Sequence, residues 1–467
     1  MKHAARIALS AVVVACLHGC ANAPRTHEGV LPIAAQYGLG DPDRNAPIAT
    51  VHTNTAPGDA RGSTDDAWWR RFGDPKLERL IERVLASNPN LAAAGFALER
   101  ARAVAGLDRN ALFPQAGASL DSTYSKPLDN GGSSTRSHFA SAGVSYVVDL
   151  WGKLRLQRDM SAWEAQATAE DLHSTRLALV GTTANFYWQL AFLNRRIAVG
   201  EQTLANLERT RSLARSQYDA GAVSRLELLE AEQALQAQRA MQSEFAQLRV
   251  EVRNSLAVLL GGEPWSDEPQ DIVLARGVDI EPGLPADLLR ARPDLRAAEL
   301  RLRSSLANVD VVERSFYPSL TLTGTVGGAS DELRNVLENP LATLGAGLIL
   351  PFMRWQEMSL NTRIASAGYE IAVNDFRTAL YTAFKEVDDA LSARAQLVTQ
   401  LQAREASHDA AMRATRLYEV RYRAGAVPLR AWLDAQERER VAELALAQTR
   451  LEQLQNDVLL LQALGGA

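Results

Sequence analysis

Cysteine is nearly absent: 467 residues contain two, Cys16 and Cys20, both close to the N-terminus. A disulfide framework is thereby excluded. Aromatic residues make up only 6% of the chain, and Ala, Leu, Gln, Arg and Glu dominate. That palette belongs to long helices rather than to a compact mixed core. Charge is balanced, with 50 basic against 55 acidic residues for a net −5, and no basic run is present to track phosphates. No nucleic-acid partner is expected. Beyond the first twenty residues no apolar stretch reaches 18, so no helix should span a membrane. Enzymatic signatures are missing as well. The seven histidines (3, 18, 27, 52, 138, 173 and 408) have no metal spacing. There is no HExxH, no GxxxxGK[ST] phosphate loop and no GxSxG elbow. Asp388-Asp389 reads as a solvated helix face, and Met353 with Met358 is too little for a soft-metal relay. No catalytic residue, cofactor or metal is expected.

What is present begins with an address. Lys2, His3 and Arg6 precede an apolar run from Ile7 to Leu17, the layout of a secretory signal. It ends in Leu17-His18-Gly19-Cys20, similar to the box at which bacteria lipidate a cysteine and cleave before it. Cys20 is the expected lipidation site, and Cys16, after Val13-Val14-Ala15, is the alternative. Residues 1–19 are then a lipoprotein signal peptide. Residues 20–66, with Pro24, Pro32, Pro42, Pro47 and Pro57, form an extended N-terminal tether.

The remainder is written twice. Asn88-Pro89-Asn90-Leu91 returns as Arg292-Pro293-Asp294-Leu295, 204 positions on. At that offset Pro114 matches Pro318, Tyr218-x-Ala220-Gly221-Ala222-Val223 matches Tyr422-x-Ala424-Gly425-Ala426-Val427, and Leu260-Gly261-Gly262 matches Leu464-Gly465-Gly466. Residues 67–262 form the first unit, 263–284 a linker and 285–467 the second. No proline falls between Pro127 and Pro264, or between Pro351 and Pro428. An interior proline costs about 3 kcal/mol, so these gaps permit very long helices. A helix from Lys153 to Gly221 would extend roughly 100 Å. Gly221 and Gly425 suit helix C-termini that turn into a second helix. In the last helix Leu444, Ala447, Leu451, Leu454, Val458 and Leu461 predict a coiled-coil seam.

Four segments have period two instead: about 114–125, 138–150, 317–327 and 341–352. Ala116, Ala118, Leu120 and Tyr124 alternate with Gln115, Gly117, Ser119 and Thr123, and the other three repeat the pattern. About ten residues suffice to cross a bilayer as a tilted barrel strand. Four strands cannot close a barrel, and an open edge is not tolerated in lipid. If the segments span, the chain must oligomerise, with two copies giving eight strands and three giving twelve.

These motifs resemble the TolC-like outer-membrane efflux channels, in their NodT-like lipoprotein branch. The resemblance is carried by Trp68-Trp69-Arg70-Arg71-Phe72-Gly73-Asp74-Pro75, by the run from Leu288 to Glu299, by Phe316-Tyr317-Pro318-Ser319-Leu320-Thr321-Leu322, and by Ala463-Leu464-Gly465-Gly466. The implied fold is mainly α with a transmembrane β-barrel. Each protomer would give four strands to a twelve-stranded trimeric barrel and its helices to a periplasmic coiled-coil tunnel. The implied partners are two further copies, a periplasmic adaptor (membrane fusion) protein, an inner-membrane pump of the RND type, and outer-membrane lipid. The implied role is that of a passive conduit for small toxic molecules or drugs. The exit channel of a protein-secretion system is the alternative within the fold, and a lipid-anchored periplasmic scaffold without a pore is the alternative outside it. The resemblance also implies a periplasmic gate at the hairpin tips. Asp434, Glu227, Tyr422, Arg423 and Arg430 are the candidate gate residues, and the tips at Gly221 and Gly425 are candidate adaptor-docking points. Phe352-Met353-Arg354-Trp355 departs from the Asp/Gly turn usual at that junction.

Overall fold

Proline marks where helices begin. Pro75, Pro89 and Pro293 each occupy the first turn of one, where a missing N–H is no loss. The structure, a computed structural model, describes residues 31–34, 48–51, 67–128, 133–272, 278, 280 and 287–466. Cys16 and Cys20 lie outside the described residues. Strands β1 (Leu31–Ala34) and β2 (Ile48–Val51) pair antiparallel in the N-terminal segment. A 3-10 turn, Trp68–Phe72, leads to α1 (Pro75–Ser87) and α2 (Pro89–Asn110). Strands β3 (Gln115–Ser125) and β4 (Thr135–Val148) follow, then the helical hairpin α3 (Lys153–Asp219) and α4 (Arg225–Leu259). The second unit has a short α5 (Leu288–Ala291), then α6 (Pro293–Arg314), β5 (Ser319–Ser330), β6 (Leu341–Ile349), α7 (Trp355–Arg423) and α8 (Leu429–Ala463).

In two pairs of helices the repeat is structural to the residue. Helices α2 and α6 both have 22 residues and α4 and α8 both have 35, each pair starting 204 positions apart. The long helices α3 and α7, of 67 and 69 residues, each run for about 100 Å. Trp68, Trp69 and Phe72 of the 3-10 turn are buried in the core beside them, while Arg70 and Arg71 stay exposed. Phe72 meets Trp188 at 6.1 Å, and Tyr187 Oη donates to Asp74 Oδ2 at 2.5 Å. The other oxygen of Asp74 caps α1 at Lys76 N and Leu77 N. The main core draws on both units: Val180, Trp188, Val252 and Leu256 from the first, Leu380, Phe384, Leu454 and Val458 from the second. Neither hairpin has a core of its own. The seam expected in α8 is buried at Leu451, Leu454, Val458 and Leu461, but Leu444 is only half-buried. Asn456, Asp457 and Leu460 are buried too, because the upper part of α8 packs on two sides rather than along one stripe.

The sheet order is β3-β4-β5-β6, all antiparallel. Its register joins the alternating residues into two continuous faces. One carries Ala118, Leu120 and Tyr124 of β3, Ala142, Val144 and Tyr146 of β4, Leu320, Leu322 and Val326 of β5, and Leu344, Ala346 and Leu348 of β6. The other is mainly Ser, Thr and Gly, with Phe139, Val147, Leu341 and Ile349 towards its ends: Ser119 and Ser141 touch at 3.1 Å, and Thr321, Thr323 and Thr325 lie on the same side. A Cβ on Gly143 would stand 2.9 Å from the Thr325 methyl, so this face has room only for small residues there. Strand β5 continues to Ser330, beyond the expected end at 327, because its pairing with β4 reaches His138. Strand β6 stops at Ile349, short of 352, where Pro351 begins a 3-10 turn and has no N–H for the ladder.

Candidate functional site at the hairpin tips

Each long helix ends in the same closure. Gly221 and Gly425 adopt φ of +73° and +70°. Gly221 N–H donates to the Tyr218 carbonyl and Ala222 N–H to that of Gln217, and Gly425 and Ala426 repeat this onto Tyr422 and Arg421. This is the Schellman arrangement, which needs a left-handed residue. Nothing lies within 4 Å of where a Cβ would stand at either glycine. Backbone conformation, not crowding, requires glycine here.

Below the turns the two hairpins of one chain are fastened together. Tyr422 Oη donates to Gln217 Oε1 at 2.9 Å, bridging α7 and α3. Its ring stacks on Trp432 with centroids 5.4 Å apart and planes 26° apart. Trp432 and Leu429 of α8 share a small cluster with Ala214 of α3 and Ala231 of α4. Burial, reinforced by the nearby Glu227 carboxylate, raises the Tyr422 pKa above the usual phenol value. The hydroxyl therefore stays a donor at neutral pH. Arg430 reaches Glu230 across the hairpins at 3.4 Å, while Arg423 pairs with Glu419 one turn back on its own helix. Asp434 is exposed. It borders a cleft of about 910 Å³ between the hairpins, which Arg423, Arg430, Glu230 and Glu419 also line.

The candidate residues thus fall into two groups. Tyr422 and Glu227 sit together at the clasp, and Asp434, Arg423 and Arg430 sit along the cleft. Gln217 and Glu230 complete both groups and were not singled out in the sequence. The offset holds a signal for Glu230, since position 230 is the counterpart of Asp434. Gln217 offers none, being one polar residue among many on α3. Among the described residues no helix is long and apolar enough to cross a membrane, and no group of three His, Cys, Asp or Glu could hold a metal ion.

A sheet apolar on one face and hydroxyl-lined on the other, continued into paired 100 Å helices, is the protomer architecture of an outer-membrane channel. The chain belongs to the outer membrane efflux protein family, whose model matches residues 80–262 and again 284–466. It is 27% identical over 466 residues to toxin and drug export protein A of Aggregatibacter actinomycetemcomitans, covering 99% of this chain and 98% of that one. It is 31% identical to the pyoverdine export outer membrane protein OpmQ of Pseudomonas putida, covering 90% and 92% respectively. The solved outer-membrane channel OprN superposes with a TM-score of 0.81 at 26% identity, covering 96% of this chain and 99% of that one. The protein is an outer-membrane efflux channel component, with its strands in the membrane and its helices in the periplasm.

Proposed function

We propose that three copies close a twelve-stranded barrel and a continuous helical tunnel, forming a passive conduit through which small toxic molecules leave the cell. The observation that carries this reading is the four-stranded sheet with unpaired edges at β3 and β6. An open edge in hydrocarbon leaves backbone groups without partners, at several kcal/mol each. Further copies of the same edges are the available remedy. A Ser/Thr/Gly face turned inward makes a wettable lumen, and the apolar face turned outward meets lipid. Nothing in the conduit breaks a bond, so an inner-membrane pump, of the RND type on the sequence resemblance, supplies the energy. A periplasmic adaptor joins pump to channel at the tips around Gly221 and Gly425. Asp434, Glu227, Tyr422, Arg423 and Arg430 form the periplasmic gate, with Gln217 and Glu230 as their partners. Cys20, or Cys16 in its place, carries the lipid that anchors the N-terminus.

Planar-bilayer recording of the purified oligomer tests the pore. Discrete conductance steps from a trimer that resists detergent are the expected result; a trimer without conductance would leave a scaffold. Drug accumulation in a strain lacking the chain should rise several-fold, and unchanged accumulation would remove small toxic molecules as its cargo.

A further inference from the structure

The two faces of the sheet divide its charge. In strands β3 to β6 only Asp121, Arg136 and His138 can be charged near neutral pH. Asp121 lies on the hydroxyl face, opposite Phe139, whereas Arg136 and His138 lie on the apolar face, opposite Tyr124 and Ser122. Both basic side chains stand at the end of the sheet farthest from the helices, which join it near Gln115 and Val148. With the helices in the periplasm, that end is level with the outer leaflet. A charge on a lipid-facing strand is least costly there, at the interface. Arg136 lays its guanidinium over the Tyr124 ring, 5.7 Å from the centroid, and has no carboxylate partner among the described residues.

The second hairpin supplies something different at the matching position. The counterpart of Tyr124 is Gly328, also on the apolar face and opposite Ala140 of β4. The loop between β5 and β6 enters the space left by the missing side chain. A Cβ on Gly328 would collide with the Val336 carbonyl oxygen, and Val336 is buried. The loop therefore lies against the apolar face, beside Arg136 and His138, rather than across the hydroxyl one. Its 3-10 turn at Leu333–Asn335 leaves Leu333 and Leu337 52% and 68% exposed. Two of its carboxylates are engaged locally: Glu332 pairs with Arg334 at 2.6 Å, and Asp331 accepts from Ser330 Oγ at 3.3 Å.

We propose that this outer rim is a binding site for a phosphorylated glycolipid of the outer leaflet, its phosphate on Arg136 and its acyl chains against Leu333, Leu337 and the apolar strand residues below. A guanidinium offers paired N–H groups that match two phosphate oxygens, and the Tyr124 ring beneath it holds their plane. His138, two positions along the same face and half-buried, places ring nitrogens beside the headgroup. The Ser122 and Tyr124 hydroxyls suit its sugar. A phospholipid of the inner leaflet cannot reach these groups, which stand at the far end of the strands. The first hairpin thus gives the headgroup site and the second the apolar shelf. The counterparts of Tyr124 and Arg136 are Gly328 and Pro340, so each copy carries one such site. The proposal rests on the apolar face meeting lipid, as argued above, and specifies which lipid it meets.

Native mass spectrometry of the purified full-length channel tests the site. The detergent-solubilised protein is mixed with lipid A, with lipid A stripped of its phosphates, or with phosphatidylglycerol, and the bound lipid is counted. Lipid A should be retained at several-fold the occupancy of the other two. Arg136→Gln should abolish that margin, Arg136→Lys should keep part of it, and Leu337→Ser should reduce it. A margin unchanged in Arg136→Gln, or equal retention of the stripped lipid, would overturn the site. Equal retention of phosphatidylglycerol would overturn the choice of a glycolipid. The orientation of the sheet is read separately in proteoliposomes, where an aqueous maleimide should label Thr323→Cys on the hydroxyl face and spare Leu322→Cys on the apolar one. Reversed labelling would overturn the reading on which the proposal rests. The expected labelling without a lipid A margin would overturn the proposal alone.

Discussion

At position 88 the first repeat carries an asparagine, and at the matching position 292 the second carries an arginine. Both reach the same atom. Asn88 Nδ2 donates to the carbonyl of Leu259, the last residue of α4, and Arg292 Nη1 donates to that of Ala463, the last residue of α8. Asn88 also caps α2 through Leu91 N, whereas Arg292 is fastened by two carboxylates, Asp294 at 2.7 Å and Glu386 at 2.6 Å. The glycines beside these joints behave alike. A Cβ on Gly261 would meet the Ser87 carbonyl at 2.9 Å, and one on Gly465 would meet that of Ala291 at 2.5 Å. The joint between the start of α2 or α6 and the end of α4 or α8 is thus kept in position and changed in chemistry. A backbone scaffold can be copied while its fasteners are exchanged, provided each carbonyl keeps a donor.

The largest effect expected from breaking this comparison is at the buried arginine. Arg292→Ala strands a buried carbonyl and removes the shared partner of two carboxylates, for a loss of about 3 kcal/mol. Asn88→Ala loses a cap and one hydrogen bond, about 1–2 kcal/mol. Denaturant unfolding of the detergent-solubilised channel measures both. Equal losses would show that the arginine adds nothing to what the asparagine does.

A second exchange titrates. Arg253 in α4 is paired with Glu268 of the linker at 2.6 Å, and its counterpart in α8 is Asp457. Asp457 is almost fully buried; Arg394 comes no nearer than 3.6 Å, and its Oδ1 accepts no hydrogen bond. Burial pushes this carboxyl up to about 6, with Arg394 opposing the shift. The folded state therefore holds a proton that the unfolded chain releases near its ordinary carboxylate pKa of about 3.9. Stability attributable to Asp457 is fullest below about pH 4 and is lost as pH rises to about 6, by roughly 2–3 kcal/mol. Asp457→Asn should flatten that part of the pH–stability curve and stabilise the protein at pH 7. A parallel curve for the variant would refute the burial argument.

A third contrast lies at the strand-to-helix junctions. Asp149 accepts from Leu154 N at 3.0 Å and Arg155 N at 3.1 Å, capping α3 across Gly152 at φ +72°. The counterpart of Asp149 is Met353, which can accept neither bond. Helix α7 instead starts two residues earlier than the repeat requires, after a 3-10 turn at Pro351–Met353. Asp149→Ala should cost about 1–2 kcal/mol in the same unfolding assay, and Met353→Ala close to nothing. A large loss at Met353 would mean that the second junction relies on contacts other than a cap.

Much of this architecture was legible because it is periodic. The 204-residue offset, the proline-free spans and the alternating strand residues are each repeated signals, and the ladder turned them into two faces. The departure at Phe352-Met353-Arg354-Trp355 was legible by another means, as a difference from the Asp/Gly turn usual in the family. What escaped was pairwise. Gln217 and Glu230 are ordinary polar residues on long polar helices. They gain partners in Tyr422 and Arg430 only when segments some 200 positions apart are set side by side. The extra burial of Asp457 and Leu460 escaped for a related reason: a seam predicts one neighbour, and the upper part of α8 has two.

The smallest expected effect sharpens the comparison at the tips. Tyr218 and Tyr422 are counterparts, yet the clasp to the neighbouring hairpin within the chain uses Tyr422 alone among the described contacts. Tyr422→Phe keeps the stack on Trp432 and deletes only the donor to Gln217, a change of about 1 kcal/mol. If the clasp holds the tips together, that energy is a factor of about five in the open-to-closed ratio for each subunit. Single-channel recordings should then show longer or more frequent openings in Tyr422→Phe, and Gln217→Leu should match it. Tyr218→Phe should leave the record unchanged if the hydrogen bond is what matters. Equal effects from both tyrosines would move the latch from the clasp within each chain to the contacts between chains.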